Sequence, residues 1–481
     1  MTVGDEDEAS EVAPGLTTTA SLGIPGEAGP ARRRQPRWCL VVAWSEEEPS
    51  RVGEVAELPA GKRFVLGRDG TWHDGAMPVL FAPRRRHALA PGRPMRGKAI
   101  SRRQLELGTT QDGLEVSRIG RCAMRIGGHD VERGTLTSGR CLTLAGQLVL
   151  LAVRRPEVPS SDDEGHPYGG PDGLGIVGES PVAWRLREQL RFLAGSDEHV
   201  LLCGASGTGK ELAARALHTL SSRRERPLVS RNAATLPAGL IDCELFGNVA
   251  DYPNPGTPAR DGLVGSADGS TLFLDEIGEL PSELQAHLLR VLDADGEFQR
   301  LGEDVVRRSR FRLVAATNRE PDALKHDLLA RLPLRLELPG LDERREDIPL
   351  MIHHLLTKAA EGTPEVAARF FDAAGRPRLA PELVVALVEH RYALHVRELA
   401  TLLWQAITES DGAVMTLTPG LGLQLHPPPH RKDGPEPAAI ATALADHDGN
   451  VTRAAAALNL SRHALNRLLK KHGIAPSDHR G

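Results

Sequence analysis

Hydrophobic and polar positions follow three different patterns along the chain. Between residues 38 and 153, short apolar runs are separated by Gly, Pro and charged residues, which is typical of a β-sandwich. Between residues 176 and 340, apolar runs alternate with stretches of helical periodicity, which predicts an α/β fold around a parallel sheet. Helical periodicity continues to about residue 410 and returns in an alanine-rich stretch at 438–473. The sequence therefore predicts a multidomain protein.

The same patterns locate individual elements. In the first region the predicted strands are Cys39–Trp44, Arg63–Leu66, Gln104–Leu107, Leu114–Val116, Ala123–Ile126, Cys141–Leu144 and Leu148–Val153. In the second region the predicted elements are the strands Val200–Cys203, Thr271–Leu274 and Phe311–Ala316 and the helices Val182–Leu193 and Leu212–Leu220.

Composition sets the boundaries between the regions. Residues 1–31 contain six acidic and no basic residues, so 1–36 is predicted to be a disordered acidic tail. Stretches rich in Pro and Gly predict linkers at 156–174 and 413–437. The predicted domains are a β-sandwich at 37–155, an α/β subdomain at 175–340, a helical subdomain at 341–412 and an all-α domain at 438–475.

Composition and charge exclude several classes of protein. Of 481 residues, 40% are hydrophobic and 26% are charged, which excludes a wholly disordered chain. No apolar run approaches the roughly 18 residues of a membrane span. The five cysteines are scattered without a CxxC pair, which argues against a disulfide framework or a zinc site. We therefore expect a cytoplasmic protein without a membrane partner.

Charge is distributed unevenly. The net charge of −5 argues against a general nucleic-acid coat. Eight basic residues and no acid lie within 84–103, however, and six basic residues with a single acid lie within 450–481. The C-terminal end can therefore contact DNA although the chain as a whole is acidic.

A P-loop pattern indicates the chemistry of the α/β region. Gly204-Ala-Ser-Gly-Thr-Gly-Lys210 follows a predicted strand and precedes a predicted helix. In that context backbone N–H groups surround phosphate oxygens, and the lysine reaches the β- and γ-phosphates. The alternative is a Gly-rich turn without a ligand. The candidate nucleotide-binding residues are Gly204, Ala205, Ser206, Gly207, Thr208, Gly209, Lys210 and Glu211, the last of which stands where a P-loop has Ser or Thr.

A second candidate lies at the end of the predicted strand Thr271–Leu274. Asp275 and Glu276 follow this strand directly, and such a pair suits magnesium binding and the activation of water. Asp275 is predicted to hold Mg²⁺ through water, and Glu276 is predicted to polarise the attacking water. Acids after a strand are also common as helix caps, but the P-loop upstream favours an ATP site.

Further motifs around the P-loop form a recognisable set. They are Ile176-Val-Gly-Glu-Ser-Pro181, GASGTGKE at 204–211, Glu244-Leu-Phe-Gly247, TLFLDEIGELP at 271–281, Ala315-Ala-Thr-Asn318 and Glu346-Asp-Ile-Pro349. With these motifs, residues 176–410 resemble the AAA+ ATPase domain of sigma-54-dependent transcription activators, the bacterial enhancer-binding proteins. The resemblance implies ATP and Mg²⁺ as cofactors, RNA polymerase as a partner, and homo-oligomers from dimer to hexamer with ATP at subunit interfaces.

The resemblance also assigns roles to single residues. Asn232 matches the residue that restrains the catalytic glutamate, Asn318 matches sensor I, and Arg397 matches sensor II. Lys325 and Arg331 match the positions of two arginines that act on the ATP of a neighbouring subunit. Because lysine lacks the forked donors of arginine, ATP hydrolysis at full or at weakened rate both stay open.

One segment departs from the family. Where the activators carry GAFTGA, the loop that contacts sigma-54, this chain reads Asp251-Tyr-Pro-Asn-Pro-Gly256. The contacting Phe and Thr are missing, and two prolines restrict the backbone of the loop. We therefore expect an impaired contact with sigma-54, with neutral divergence and retained function as the alternative.

The C-terminal region contains a helix-turn-helix pattern. Ser461 is a predicted N-cap, and Leu465, Leu468 and Leu469 form the apolar face of the helix that follows. The region is similar to the Fis-type helix-turn-helix of enhancer-binding proteins, which implies a dimer bound to promoter-upstream DNA. The alternative is a solvated basic helix. The candidate DNA contacts are Arg462, His463, Asn466, Arg467, Lys470 and Lys471.

Two motifs characterise the β-sandwich, Leu66-Gly67-Arg68 and Ile100-Ser101-Arg102-Arg103. With them the region resembles a forkhead-associated (FHA) domain, and the resemblance implies that Arg68, Ser101 and Arg102 hold the phosphate of a phosphothreonine protein partner. Gln104 stands where the family has His, and the peptide-binding Asn segment is not recognisable near residues 121–128. An interaction surface without phosphothreonine selectivity is the alternative.

The whole sequence predicts an ATP-binding transcription regulator that binds specific DNA and receives a signal through its sandwich. Two other functions stay open. One is a sigma-54-independent regulator that uses ATP to control its oligomeric state, which the altered loop favours. The other is an ATP-driven remodeller without a promoter target, against which the C-terminal helix-turn-helix pattern speaks.

Overall fold

The computed structural model describes residues 36–71, 74–83, 91–156, 166–237, 239–293, 296–320, 324–425 and 437–445, with single positions between 447 and 474. By its contacts the chain divides into two compact units, and the boundary along the chain falls between Thr418 and Pro419. Within the described residues, no helix is long and apolar enough to cross a membrane. All five cysteines have free thiols.

The N-terminal region is a two-sheet β-sandwich. One sheet has the strand order β2-β1-β11-β10-β7-β8 and the other β4-β3-β5-β6-β9, and their inner faces enclose an apolar core that includes Leu40, Leu105 and Leu150. The strands are β1 (Arg37–Ser45), β2 (Val55–Leu58), β3 (Arg63–Leu66), β4 (Met77–Pro78), β5 (Leu105–Thr109), β6 (Leu114–Arg118), β7 (Met124–Ile126), β8 (His129–Asp130), β9 (Arg133–Leu136), β10 (Cys141–Leu144) and β11 (Leu148–Arg155).

The predicted β-rich region is thus confirmed, and its identity as an FHA domain stays a prediction. All seven predicted strands occur, with ends within two residues of the expected positions. The strands that the pattern did not predict are β2, β4, β8 and β9. Two of these have only two residues, and β8 is exposed at both positions, so neither carries the alternation by which a strand is recognised.

A five-stranded parallel sheet forms the centre of the α/β region. Its order is β13-β14-β17-β12-β18, with β12 (Val200–Cys203), β13 (Val229–Asn232), β14 (Thr271–Asp275), β17 (Arg312–Thr317) and β18 (Leu334–Glu337). A small hairpin joins β15 (Glu297–Phe298) to β16 (Arg307–Arg308). The chain enters the sheet at β12, between strands that come much later, and parallel α/β sheets bind ligands at the carboxyl ends around such a point.

Helices cover both the sheet and its carboxyl edge. Those of the α/β region are α1 (Pro181–Ala194), α2 (Lys210–Leu220), α3 (Ile241–Phe246), α4 (Gly262–Ser266), α5 (Ser282–Asp293) and α6 (His326–Ala330). A helical lid follows, with α7 (Ile348–Gly362), α8 (Pro364–Phe370), α9 (Pro381–Glu389) and α10 (His395–Glu409). Short 3-10 helices occur at Pro49–Arg51, Ala233–Thr235, Ile277–Glu279 and Leu341–Asp347.

The β-sandwich packs against the lid. The buried carboxylate of Glu389, at the end of α9, accepts a hydrogen bond from the Cys141 N–H at 2.7 Å and pairs with Arg140 at 2.8 Å. Nearby, Arg155 at the end of β11 lies 3.0 Å from the Glu346 carboxylate. Burial raises the pKa of Glu346 to about 7, although Arg155 opposes this shift. Sandwich and lid therefore share an interface of charged and backbone groups.

The segment predicted as the first linker is partly packed. The Tyr168 hydroxyl donates to the Gly53 carbonyl of the sandwich at 2.6 Å. The Asp172 carboxylate accepts hydrogen bonds from Leu174 N–H, Ile176 N–H and the buried Arg187 guanidinium. These polar anchors hold residues 166–174 in place, which composition alone did not predict.

The second unit contains α11 (Pro419–Leu425) and α12 (Pro437–Ala445). The predicted linker 413–437 contains the boundary between the two units and is helical at α11, which forms because Pro419 starts a helical turn and because Leu421 and Leu425, one turn apart, are both buried. Leu465 and Leu469, predicted on the apolar face of the last helix, are helical and lie in one buried cluster with Ile440 and Leu444.

Candidate nucleotide site

The P-loop follows β12 and leads into α2. Gly207 and Gly209 have φ values of +82° and +99°, in the left-handed region that favours glycine. A Cβ atom at Gly207 would lie 2.1 Å from the Leu394 carbonyl oxygen of the lid. The loop therefore needs glycine for its backbone conformation and also for the close approach of the lid.

Lys210 is turned back over the P-loop. Its ammonium group donates to the Gly204 carbonyl at 2.9 Å and to the Ala205 carbonyl at 3.4 Å, and only 6% of the residue is exposed. A phosphate bound in the loop would offer this cation stronger, charged acceptors than two carbonyl groups. The lysine is thus positioned for the role that the sequence predicts.

The two acids lie at the carboxyl end of β14. Asp275 accepts a hydrogen bond from the Glu276 N–H at 3.0 Å. Glu276 has a φ of +52°, a strained conformation for a residue with a side chain and one that is common at functional sites. Its carboxylate lies 3.8 Å from the Lys210 ammonium and accepts a hydrogen bond from the Asn318 N–H at 3.3 Å.

The lid contacts the P-loop through α10. The Arg397 guanidinium donates to the Ser206 hydroxyl at 2.8 Å, and the Val396 N–H donates to the Gly207 carbonyl at 3.2 Å. The predicted sensor II residue therefore lies at the phosphate loop of its own chain.

A cavity of about 550 Å³ lies between the α/β core and the lid. Its polar end is formed by the P-loop and the acids, and its other end is largely apolar. The predicted site residues that line it are Ser206, Gly207, Thr208, Gly209, Lys210, Glu211, Asn232, Asp275, Glu276 and Arg397. Gly204, Ala205 and Asn318 contact these residues through backbone groups. The volume suits a small-molecule ligand.

Two of the lining residues have partners other than those expected. The Glu211 carboxylate is largely exposed and pairs with Arg215 one turn along α2, at 2.7 Å. The Asn232 side chain accepts a hydrogen bond from the Ala234 N–H at 2.8 Å. The restraint of Glu276 by Asn232 stays a prediction. Lys325 and Arg331 flank α6, are exposed and do not line this cavity.

The donor set fits a magnesium ion that is bound together with a phosphate. Carboxylate oxygen is a preferred ligand of Mg²⁺, and the Asp275 carboxylate lines the cavity beside the P-loop. The described residues contain no group of three or more His, Cys, Asp or Glu that could enclose a metal ion. Phosphate oxygens and water would therefore supply the remaining ligands, as is usual for this ion.

Asn248, which precedes the loop at Asp251–Gly256, forms hydrogen bonds with the backbone in and beside the loop. This side chain is fully buried, and its amide group donates to the carbonyls of Val249, Tyr252 and Pro258 at 2.8, 3.2 and 3.0 Å. The Asp251 carboxylate also accepts from the Gly256 N–H at 2.7 Å. The loop is a closed turn with most of its hydrogen bonds internal. Sequence reasoning missed Asn248, which directly follows the Glu244-Leu-Phe-Gly247 motif.

Backbone hydrogen bonds bring together the loops that carry the candidate phosphopeptide-binding residues of the sandwich. The Arg68 N–H donates to the Ser101 carbonyl at 3.1 Å, and the Ser101 hydroxyl accepts from the Arg121 N–H at 3.0 Å. Arg68, Arg102 and Arg121 are exposed. Buried Gln104 accepts from the N–H groups of Ser101 and Cys122 and donates to the Cys122 carbonyl. Gln104 thus joins the two loops, and Arg121 is an additional basic residue that sequence reasoning missed.

The candidate DNA contacts Arg462, His463, Asn466, Arg467, Lys470 and Lys471 lie outside the described residues, so their role stays a prediction.

Comparison with protein families gives two matches. Residues 176–338 match the family described as "Sigma-54 interaction domain", and residues 436–472 match "Bacterial regulatory protein, Fis family". The first match spans the P-loop, both acids and the Asp251–Gly256 loop, and the second spans the candidate DNA contacts.

Similar proteins are named as transcriptional regulators. The transcriptional regulatory protein ZraR of Salmonella typhimurium is 34% identical over 61% of this chain and 67% of its own length. GlrR of Escherichia coli is 36% identical over 63% and 69%, and the nitric oxide reductase transcription regulator NorR2 of Cupriavidus necator is 36% identical over 69% and 64%. NtrX from Brucella abortus, solved in complex with ADP, is 28% identical over 63% of this chain and 70% of that chain, with a TM-score of 0.46.

Proposed function

The chain belongs to the sigma-54-dependent transcriptional regulators, and we propose that it is an ATP-hydrolysing regulator of promoter-upstream DNA. The proposal is supported chiefly by the convergence of Lys210, Asp275, Glu276 and Arg397 on a single cavity beside the P-loop. The Fis-type region would carry the DNA contacts, on two-fold related half-sites if it forms a dimer.

The residues around the cavity divide the work of hydrolysis. P-loop N–H groups and Lys210 bind the phosphates, and Lys210 exchanges its two carbonyl acceptors for phosphate oxygens. Glu276 orients the attacking water and takes up its proton. A magnesium ion held by Asp275 would neutralise negative charge on the phosphates. Arg397 connects the nucleotide to the position of the lid.

Hydrolysis is proposed to require a homo-oligomer. Lys325 and Arg331 are exposed at the ends of α6 and do not line the cavity of their own chain. A neighbouring subunit that placed its cavity against α6 would receive their positive charge. Arginine placed in this way stabilises the transition state of phosphoryl transfer, and ATP turnover per subunit should then rise with protein concentration.

Replacing Lys210 by Ala should weaken ATP binding by about 30-fold or more, because a cation that folds over the loop is removed from a largely desolvated position. Isothermal titration with ATP and Mg²⁺ measures the effect. Arg215→Ala is the matched control: it removes an exposed cation of α2 and should change the dissociation constant less than two-fold. Equal affinity of Lys210→Ala and the unchanged protein would refute the ATP site.

A sigma-54-independent regulator is the second candidate function. It is favoured by the Asp251–Gly256 loop, in which buried Asn248 donates to the Tyr252 carbonyl and Asp251 accepts from the Gly256 N–H. In this case ATP would set the oligomeric state, and the DNA-binding region would act on promoters that use other sigma factors.

We also propose that the sandwich reads phosphothreonine. Backbone contacts bring Arg68, Ser101 and Arg121 to the same loops, and guanidinium groups together with a hydroxyl suit a phosphate dianion. Buried Gln104 holds the loops in place. The exposed arginines favour acidic sequences around the phosphothreonine.

A phosphothreonine peptide in an acidic context should bind at least about 20-fold more tightly than its unphosphorylated form. Arg68→Ala and Ser101→Ala should each remove most of that difference, as measured by fluorescence anisotropy. Arg63→Ala, which removes an exposed arginine on β3 that pairs with Glu106, is the control. Equal affinity for both peptides would leave the sandwich as a surface without phosphate selectivity.

A further inference from the structure

The lining of the cavity includes a buried arginine whose Nε–H lacks a hydrogen-bond acceptor. Arg344 is 6% exposed and lines the same cavity as Lys210. Its Nε–H is fully buried and has no partner among the described residues. Its backbone, at φ −125° and ψ 42°, interrupts the helical turns of Leu341–Asp347. A buried donor without an acceptor is costly, and such a group in a native structure calls for an explanation.

None of the neighbouring charged groups accepts a hydrogen bond from the Arg344 Nε–H. The Asp347 carboxylate already accepts from the N–H groups of Glu179 and Ser180, both at 2.8 Å, and from the Ser180 hydroxyl at 2.6 Å. Glu343 accepts from the Gly340 N–H. Arg187 is a second buried cation and pairs with Asp172. Burial lowers the pKa of Arg344, Asp347 and Glu343 oppose this shift, and Arg187 adds to it.

The position of Arg344 in the cavity limits what it can bind. Several apolar residues of the lining come from the segment before α1, from α1 and from α7, among them Ile176, Val177, Leu186, Leu190, Met351 and Leu355. A nucleotide whose phosphates occupy the P-loop would extend its flat base toward these residues. A guanidinium group only donates hydrogen bonds, and an adenine ring offers nitrogen acceptors at N1, N3 and N7.

We propose that Arg344 binds the base of ATP by donating a hydrogen bond from its buried edge to a ring nitrogen. The inference rests on the proposed function, since it assumes that ATP occupies the cavity. Apolar side chains cover the faces of the base, and Arg344 fixes its orientation, as isolated polar groups do in largely apolar pockets. The base of ATP thereby supplies the acceptor that the Arg344 Nε–H lacks among the described residues.

The first test compares ATP with inorganic tripolyphosphate, which has phosphates but no base, by titration of the full chain. Arg344→Met should bind ATP about ten-fold more weakly and tripolyphosphate within about two-fold of the unchanged protein. Arg344→Lys should recover part of the loss. Arg185→Met is the matched control, because it removes an exposed arginine of α1 that does not line the cavity; it should leave ATP affinity within about two-fold.

A second test identifies the acceptor. The unchanged protein should lose affinity for one of 1-deaza-, 3-deaza- and 7-deaza-ATP, and Arg344→Met should show no further loss with that analogue. Without nucleotide, Arg344→Met should melt no lower than the unchanged protein, because it removes a buried Nε–H donor that has no acceptor among the described residues.

The outcomes separate this proposal from the ATP site itself. If the unchanged protein binds neither ATP nor tripolyphosphate, the proposed function fails, and the role of Arg344 fails with it. Two results would refute the role of Arg344 alone, provided that the unchanged protein binds both ATP and tripolyphosphate. One is an Arg344→Met variant that binds ATP as tightly as the unchanged protein does. The other is an unchanged protein that binds all three deaza analogues as tightly as ATP. An equal loss for ATP and tripolyphosphate, or a lower melting temperature without nucleotide, would make Arg344 a structural residue.

Discussion

Replacing Glu276 by Gln should lower the rate of ATP hydrolysis by about 100-fold or more and leave the dissociation constant for ATP within about three-fold. The amide keeps the shape of the side chain and its acceptor toward the Asn318 N–H, but it cannot take a proton from water. The loss should therefore appear in kcat, since the proposed mechanism assigns the water to Glu276 and the phosphates to Lys210.

The measurement is phosphate release at saturating ATP, with binding followed in parallel by titration. Glu279→Gln is the matched control, because Glu279 is an acid three residues away that pairs with Arg319 and does not line the cavity. Its kcat should change less than about two-fold. If Glu276→Gln retained normal turnover, Glu276 would have no role in activating water.

In a promoter-opening assay with sigma-54 holoenzyme and ATP, the protein on its own DNA sites should form about a tenth or less of the open complexes made by a relative that carries GAFTGA. Two causes contribute. The side chains that contact sigma-54 in the family are absent from Asp251–Gly256, and the amide of buried Asn248 donates to the Tyr252 carbonyl of the loop and to the flanking Val249 and Pro258 carbonyls. Opening the loop would break the hydrogen bond to the Tyr252 carbonyl and so cost free energy.

Loop variants separate the two causes. With GAFTGA in place of residues 251–256, activation should rise only partly, because Asn248 still restrains the flanking Val249 and Pro258. Adding Asn248→Ala should raise it further. ATP turnover, measured in the same samples as an internal control, should stay within about two-fold, because the loop does not line the cavity. Full activation by the unchanged protein would show that this loop engages sigma-54 without the motif.

Local sequence was sufficient to predict the parts of the site that depend on neighbouring residues. The P-loop begins where β12 ends, and the acids follow β14, because a buried strand and its flanking turn are both encoded within a few positions. The same holds for the longer strands of the sandwich. The family match confirms the assignment of the α/β region.

Contacts between distant residues were not predictable in this way. Arg397 and Ser206 are 191 positions apart, and only the resemblance suggested that they meet. Asn248 and Arg344 were not predicted, since an Asn or an Arg becomes notable only when its surroundings are known to be buried, and the motif around Gln104 did not predict that its side chain joins two loops. The packing of residues 166–174 depends likewise on partners such as Gly53 and Arg187.

The contact of the sandwich with Glu389 has a thermodynamic consequence. Glu389 belongs to the lid, and the same lid carries Arg397, which reaches the P-loop. If ATP favours one placement of the lid, it changes the free energy of the sandwich contact, and linkage then acts equally in both directions. Any phosphopeptide whose affinity rises by some factor when ATP binds must raise the affinity for ATP by the same factor. Binding of a phosphopeptide to the sandwich could thus be measured as a change in the affinity for ATP at saturating peptide, and no further protein would be needed to connect the two sites.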